Sequence, residues 1–240
     1  ATLAVTVAPM GQGIVCDLVD ERRLAGDGHA EPPVTPADKP TRYRAIVDCG
    51  VALPGLSLEV RDENGRLLPD RQIGRVFVQG LGIMAGYFRD EEATRAVLSG
   101  DGWLDTGDMG YLVEGHLFIV GRAKDMIIIN GKNHWPQDIE WAIEQLDGFK
   151  AGDIAAFSIT TSSGEEAPAV LVQCRTTDLA ERARIREEIR AKVRSITGMS
   201  CVVELVPPRT LPRTSSGKLS RVKARQLYLS GEIAPLAIAA

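Results

Sequence analysis

Asp105-Thr106-Gly107-Asp108, Tyr111-Leu112-Val113, Glu114-Gly115, His116-Leu117-Phe118-Ile119-Val120 and Gly121-Arg122-Ala123-Lys124-Asp125 form the stretch around which the chain is organised. The small and acidic residues at 105–108 predict a turn. The alternating runs at 111–113 and 116–120 predict two strands. Glu114-Gly115 between them predicts a tight hairpin turn, because glycine accepts the positive φ such a turn requires. A charged elbow at 121–125 then opens into the apolar run Met126-Ile127-Ile128-Ile129.

Upstream, Thr2 to Val7 alternates like a strand, with no leading turn or cap, so the chain is expected to be a piece of a longer protein. Cys16 to Asp20 predicts a short strand, whereas Arg22 to Lys39, rich in Gly, Pro and charge, predicts an exposed insertion. Ser57 to Arg61 and Gly74 to Gly80 alternate on either side of the turn Glu63-Asn64-Gly65. Closely spaced short strands predict a small twisted sheet or barrel through about residue 120.

Downstream the pattern becomes mixed. Pro136 suits the first position of a helix, Asp138 and Glu140 suit its positive end, and Ile139, Ala142, Ile143 and Leu146 mark one face before Gly148. Ile154–Ile159 and Ala169–Cys174 predict strands around a polar turn at Thr161 to Glu166. A helix capped by Asp178 with Glu181 carries the stripe Ile185, Ile189, Val193 and Ile196 and closes at Gly198. Cys201–Val206 predicts the last strand, Pro207–Gly217 a loop, and a basic helix follows from Ser220. The expected fold class is α+β: a β-rich part over 1–123 and a small mixed α/β domain over 124–240.

The 240 residues, 44% hydrophobic, suffice for one large domain or two small ones. A net charge of −4 gives no reason to expect nucleic acid. Cys16, Cys49, Cys174 and Cys201 lack Cys-x-x-Cys spacing, and His29, His116 and His134 are dispersed, so no metal site is expected and the cysteines read as reduced. No apolar run reaches the roughly 20 residues of a membrane span, and a cytoplasmic protein is expected.

Several residues are candidates for chemistry beyond a structural role. Asp108 could accept hydrogen bonds from both hydroxyls of a ribose, or simply form its turn. Arg122 could meet a ribose or phosphate, although alone it suits a surface ion pair. Lys124 sits where the composition changes. Lys218 lies in Leu211-Pro212-Arg213-Thr214-Ser215-Ser216-Gly217-Lys218, where Pro212 stands in place of the first glycine of a P-loop, so that motif fails. Gly80-Leu81-Gly82-Ile83-Met84-Ala85-Gly86-Tyr87 likewise misses the dinucleotide-binding spacing.

Together these segments resemble the adenylate-forming enzymes: acyl-CoA synthetases, firefly luciferase and peptide-synthetase adenylation domains. Asn130-Gly131-Lys132-Asn133-His134-Trp135-Pro136 and the insertion at 22–39 are most similar to fatty acyl-AMP ligases. The resemblance implies that 1–123 is the end of a large N-terminal adenylation domain and 124–240 a mobile C-terminal lid. It implies that Trp103 and Asp108 supply the aromatic and ribose-binding positions of their motif, that Arg122 contacts ribose or phosphates, and that Lys124 is the hinge. Lys218 becomes the catalytic lysine that bridges substrate carboxylate and α-phosphate. ATP is implied, with Mg2+ whose ligand is expected upstream; the partners are a fatty acid and an acyl carrier protein, or CoA in an acyl-CoA synthetase. A non-catalytic nucleotide- or carrier-binding module is the alternative of another class. The Ser/Thr/Gly-rich phosphate loop of the family is not among these residues, so the 240-residue chain alone is not expected to adenylate a carboxylate.

Overall fold

A computed structural model describes residues 4–34, 43–129, 132–161 and 164–238. Residues 1–124 and 125–240 form two compact units.

The first unit is an antiparallel sheet of seven strands. These are β1 (Thr6–Val7), β2 (Cys16–Asp20), β3 (Tyr43–Ala52), β4 (Leu56–Arg61), β5 (Gly74–Gly80), β6 (Leu104–Val113) and β7 (His116–Arg122). Their order is β1-β3-β7-β6-β5-β4, with β2 paired to β3. Thr2 and Leu3 of the expected first strand lie outside the described residues. The β6–β7 hairpin forms as its sequence predicts, with Glu114 at φ 51° and Gly115 at φ 81°, both left-handed as a tight two-residue turn needs. Val60, Val76 and Leu117 are buried together, with Leu58, Leu112 and Ile119 packed against them.

The first unit departs from the sequence pattern in two places. Asp105–Asp108 is not a turn but part of β6. Gly107, at φ 72°, lets the strand kink without leaving the ladder, and the register with β7 shifts between Met109 and Gly110. Thr106 donates its hydroxyl to the Val76 carbonyl at 2.8 Å, which ties the kink to β5. The expected insertion, in turn, starts as a packed element. Helix α1 (Glu21–Gly26) is capped by Asp20, whose side chain accepts from the Arg22 and Arg23 amides. Leu24 and Ala30 are buried behind it, and Arg71 donates to the Ala30 carbonyl at 2.6 Å. Residues 35–39 of that stretch lie outside the described residues. A short helix α2 (Glu91–Val97), capped by Asp90, precedes β6.

The second unit begins with a two-stranded ladder, β8 (Ile127–Ile129) and β9 (Lys132–His134), and α3 (Pro136–Glu144). Helix α3 starts at Pro136 as expected but ends before Gly148. Strands β10 (Ile154–Thr160), β11 (Glu166–Gln173) and β12 (Val202–Val206) form a sheet in which β10 and β11 are antiparallel and β11 and β12 parallel. Residues 162 and 163 of the expected turn lie outside the described residues. Helix α4 (Leu179–Thr197) makes the parallel crossover, capped by Asp178 and closed by Gly198 at φ 74°. Glu181 does not complete a reciprocal cap; its carboxylate accepts from the Thr176 hydroxyl instead. Helix α5 (Arg221–Leu229) ends the unit.

Both faces of this sheet are covered, which is why its strands read as continuous apolar runs. Ile154, Ala156, Val170, Val172, Val203 and Leu205 pack with Ile139, Ile143, Ile189 and Val193 of α3 and α4. The alternate residues Ala155, Phe157, Ile159, Ala169, Leu171 and Val206 pack with Leu211, Ala224 and Ile233. No helix among the described residues is long and apolar enough to cross a membrane.

Candidate functional site

In the first unit the β6–β7 ladder places Asp108 directly across from Arg122. The Arg122 Nε donates to Asp108 Oδ1 at 2.8 Å, and both side chains remain partly open to solvent. The two residues picked for nucleotide contact are thus brought together, as each other's partners. An ion pair this exposed adds about 0–1 kcal/mol to stability. Breaking it for a ligand therefore costs little, and Asp108 keeps a second oxygen while Arg122 keeps further N–H donors. Arg75 pairs in the same way with Asp105, 2.9 Å away. Trp103 does not stand free: the Arg61 guanidinium lies 4.7 Å from its ring and 4.7 Å from that of Phe77. Burial pushes up the Cys49 thiol, and the nearby Asp48 and Asp108 carboxylates add to that effect. Lys124 is exposed in a single 3-10 turn, Ala123–Asp125, at the boundary between the units.

In the second unit Lys218 is exposed at the tip of the loop between β12 and α5, and its ammonium makes no hydrogen bond or ion pair among the described residues. The backbone beneath it is well held. Thr214 and Lys218 exchange two bonds, amide to carbonyl at 2.8 Å and amide to Thr214 hydroxyl at 3.1 Å. Gly217, at φ 80°, makes the turn between them. Arg213 anchors the loop, donating to the Gly217 carbonyl at 2.9 Å and to the Gly152 carbonyl at 3.1 Å.

The stretch that continues from Lys218 ends in a charged strut that sequence reasoning missed. Arg221 donates through Nε and a terminal nitrogen to both oxygens of Glu140, at 2.7 and 2.6 Å, and reaches Asp125 at 3.3 Å. Glu140 also accepts from the Ala156 amide at 2.9 Å and is only 6% exposed. Burial lifts its carboxyl above the usual range, while the Arg221 fork and the Ala156 amide pull it back towards ionisation. The same carboxylate holds Arg221 above its ordinary value. The available signal was positional: Glu140 shares the helical face of Pro136, Ile139 and Ile143, where an unpartnered charge could not be buried.

Of the motif at 130–136, Asn130 and Gly131 lie outside the described residues. Trp135 is buried at the entry to α3, and Pro136 occupies the first turn. All four cysteines are free thiols. No group of three or more His, Cys, Asp or Glu side chains suited to a metal occurs among the described residues.

Comparison with known proteins bears on both units. Residues 131–226 match the family model described as the AMP-binding enzyme C-terminal domain. A putative acyl-CoA synthetase of Caulobacter vibrioides is 45% identical over 96% of this chain and 40% of its own length. The medium-chain-fatty-acid–[acyl-carrier-protein] ligase JamA of Moorena producens is 32% identical over 83% of this chain and 36% of its own. A solved structure from studies of fatty acyl-adenylate ligases of E. coli and L. pneumophila superposes with a TM-score of 0.86 at 37% identity, over 96% of this chain and 40% of that one. Peptide-synthetase proteins are also among the relatives. The chain spans about 40% of the length of the relatives it matches most fully. It belongs to the adenylate-forming enzymes, of which it corresponds to the C-terminal part, with an AMP-binding C-terminal domain over residues 131–226.

Proposed function

We propose that the chain is the C-terminal part of an ATP-dependent fatty acyl-AMP ligase, with 1–123 closing the adenylation domain and 124–240 acting as its mobile lid. The observation that carries the reading is the uncommitted Lys218 ammonium on a loop whose base is fixed by Arg213 and by the Arg221–Glu140 strut. A fatty carboxylate and the α-phosphate of ATP are both anions, and a positioned cation between them offsets their repulsion and the charge that builds on the phosphoryl oxygens. A carboxylate oxygen attacks the α-phosphorus, the bond to the bridging oxygen breaks, and pyrophosphate leaves. Asp108 accepts the ribose hydroxyls, and Arg122 turns from Asp108 towards ribose or phosphate. A thiol then attacks the acyl carbon of the acyl-AMP, AMP departs, and the thiol proton passes to solvent. Lys124 is the hinge that exchanges one half-reaction for the other, its exposed position leaving few contacts to break. Mg2+ would neutralise the triphosphate; among the described residues no group of three or more His, Cys, Asp or Glu side chains is placed to hold it.

The thiol is the finer choice. JamA is named for transfer to an acyl carrier protein, and Asn133-His134-Trp135-Pro136 is similar to the ligases that use one; this favours a carrier thiol. The identity to a putative acyl-CoA synthetase favours CoA as the second reading. Offering carrier-protein phosphopantetheine and CoA in parallel to preformed acyl-AMP, with the full-length enzyme, decides between them. Faster acyl-CoA formation overturns the carrier reading. If the full-length enzyme catalyses no fatty-acid-dependent exchange of pyrophosphate into ATP, a non-catalytic binding module takes its place.

A further inference from the structure

On the second unit, behind the base of the Lys218 loop, lies a cleft of about 450 Å3 lined by Asp153, Gln173, Arg175, Arg209, Leu211 and Arg213, among others. That volume falls in the range of small-molecule sites, but the lining is polar and its formal charge is positive. Asp153 is already satisfied: its carboxylate accepts from Gln173 Nε2 at 2.8 Å and from Arg175 at 3.2 Å. Arg209 is exposed and makes no hydrogen bond or ion pair among the described residues. Its backbone sits at φ 65°, a conformation a non-glycine residue adopts at some cost. Arg213 uses part of its guanidinium on the Gly152 and Gly217 carbonyls and keeps donors in reserve. Gly152 sits at φ 83°, where glycine is favoured, and a Cβ there would displace the Arg213 guanidinium, 2.7 Å away. Gln173 is 7% exposed, and its Oε1 has no hydrogen-bond partner among the described residues, an acceptor that only a protonated phosphate oxygen can meet.

We propose that this cleft is a binding site for the phosphate or diphosphate group of a small molecule, held by Arg175, Arg209 and Arg213. Planar guanidinium forks match phosphate oxygens in pairs, and several converging on one concavity select a multiply charged oxyanion over chloride. Because Arg213 also holds the Gly217 carbonyl, an anion drawing on its guanidinium alters the tether of the Lys218 loop. The site stands whether or not the adenylating reading does.

The test is a titration of the 240-residue chain with inorganic phosphate and with pyrophosphate at fixed ionic strength. It is followed by calorimetry and by the NMR signals of the arginine side-chain Nε–H groups. Saturable shifts at Arg175, Arg209 and Arg213 are expected, with the tighter of the two probes identifying a mono- or diphosphate. Arg209→Gly removes the cation while suiting the left-handed backbone, and Arg175→Ala removes a second one. Each is expected to weaken binding at least tenfold, whereas substitution of the exposed Lys223 leaves it unchanged. Absence of saturation by either probe at 10 mM, or an affinity in Arg209→Gly and Arg175→Ala equal to that of the unsubstituted chain, overturns the proposal. Arg209 makes no hydrogen bond or ion pair among the described residues, and an unchanged melting temperature in Arg209→Gly rules out loss of folding as the cause.

Discussion

The two places where the chain gathers its candidate chemistry are built in opposite ways. Asp108 and Arg122 sit on adjacent strands of a ladder, so backbone hydrogen bonds set their separation and each completes the other. Lys218 sits at a tip held from below by side chains, Arg213 on one flank and Arg221 on the other, and its own charge is left open. A ladder suits groups that recognise an invariant part of a ligand. A side-chain tether suits a group that must reach a reacting centre and withdraw. The difference teaches that the durable part of the second site is its buried strut, not its exposed lysine.

The largest effect should come from that strut. Glu140→Ala leaves the Arg221 guanidinium half-buried with Asp125, at 3.3 Å, as its one remaining ion-pair partner among the described residues, and losing one member of a buried pair costs about 3–5 kcal/mol. Denaturant unfolding of the chain should show the loss in the transition of the second unit. A change below about 1 kcal/mol would mean the strut is ornamental.

The ladder can be broken at Gly110. A Cβ there would meet the Phe118 carbonyl oxygen at 2.5 Å and Val76 Cγ2 at 3.2 Å, both held by the sheet. Gly110→Ala should cost about 1–3 kcal/mol through overpacking and should shift the amide resonances of β6 and β7, not those of the Lys218 loop. Unaltered stability would contradict the rigid-ladder description.

Smaller still, Arg213→Ala removes one bond to the Gly217 carbonyl in its own loop and one to the Gly152 carbonyl ahead of β10, together about 1–2 kcal/mol at most. Amide exchange at 214–218 should quicken while exchange in β10–β12 stays unchanged. Equal protection with and without Arg213 would contradict its role as the anchor of the loop.

The smallest effect concerns alkaline pH. Burial pushes the Cys201 thiol up to about 11 and raises the Cys49 thiol as well. In the unfolded chain these thiols ionise near their ordinary value of 9.0, so between about 9 and 11 the folded state binds more protons than the unfolded one. Stability must then fall as pH rises through that window, and it is flat with respect to these groups below it. Melting scans should show a modest decline above pH 9 that Cys201→Ser reduces; a rise would reverse the assigned sign.

Much of the second unit was legible because its signals are local. Asp178 and Gly198 bracket α4, Ile189 and Val193 mark its buried stripe, and the apolar runs at 154–159 and 169–174 become strands covered on both faces. The β6–β7 turn was legible for the same reason, since Glu114-Gly115 carries its own backbone preference. What escaped depends on distant partners. Whether Glu21–Gly26 folds into a packed helix is decided partly by Arg71, which holds Ala30 in place. The kink at Gly107 stays inside β6 because β5 offers the Val76 carbonyl to Thr106. Glu140 finds Arg221 across 81 positions of sequence. Of the candidate site, the residue types at 108, 122 and 218 were visible; the pairing of the first two and the support under the third were not.

The most direct test of the account is Lys218→Ala in the full-length enzyme, with each half-reaction followed in a single turnover. Acyl-AMP formation should slow by about 10² or more, while acyl transfer from supplied acyl-AMP and the melting temperature stay essentially unchanged. If both half-reactions fall equally, or neither falls, Lys218 is not the group that brings carboxylate and α-phosphate together.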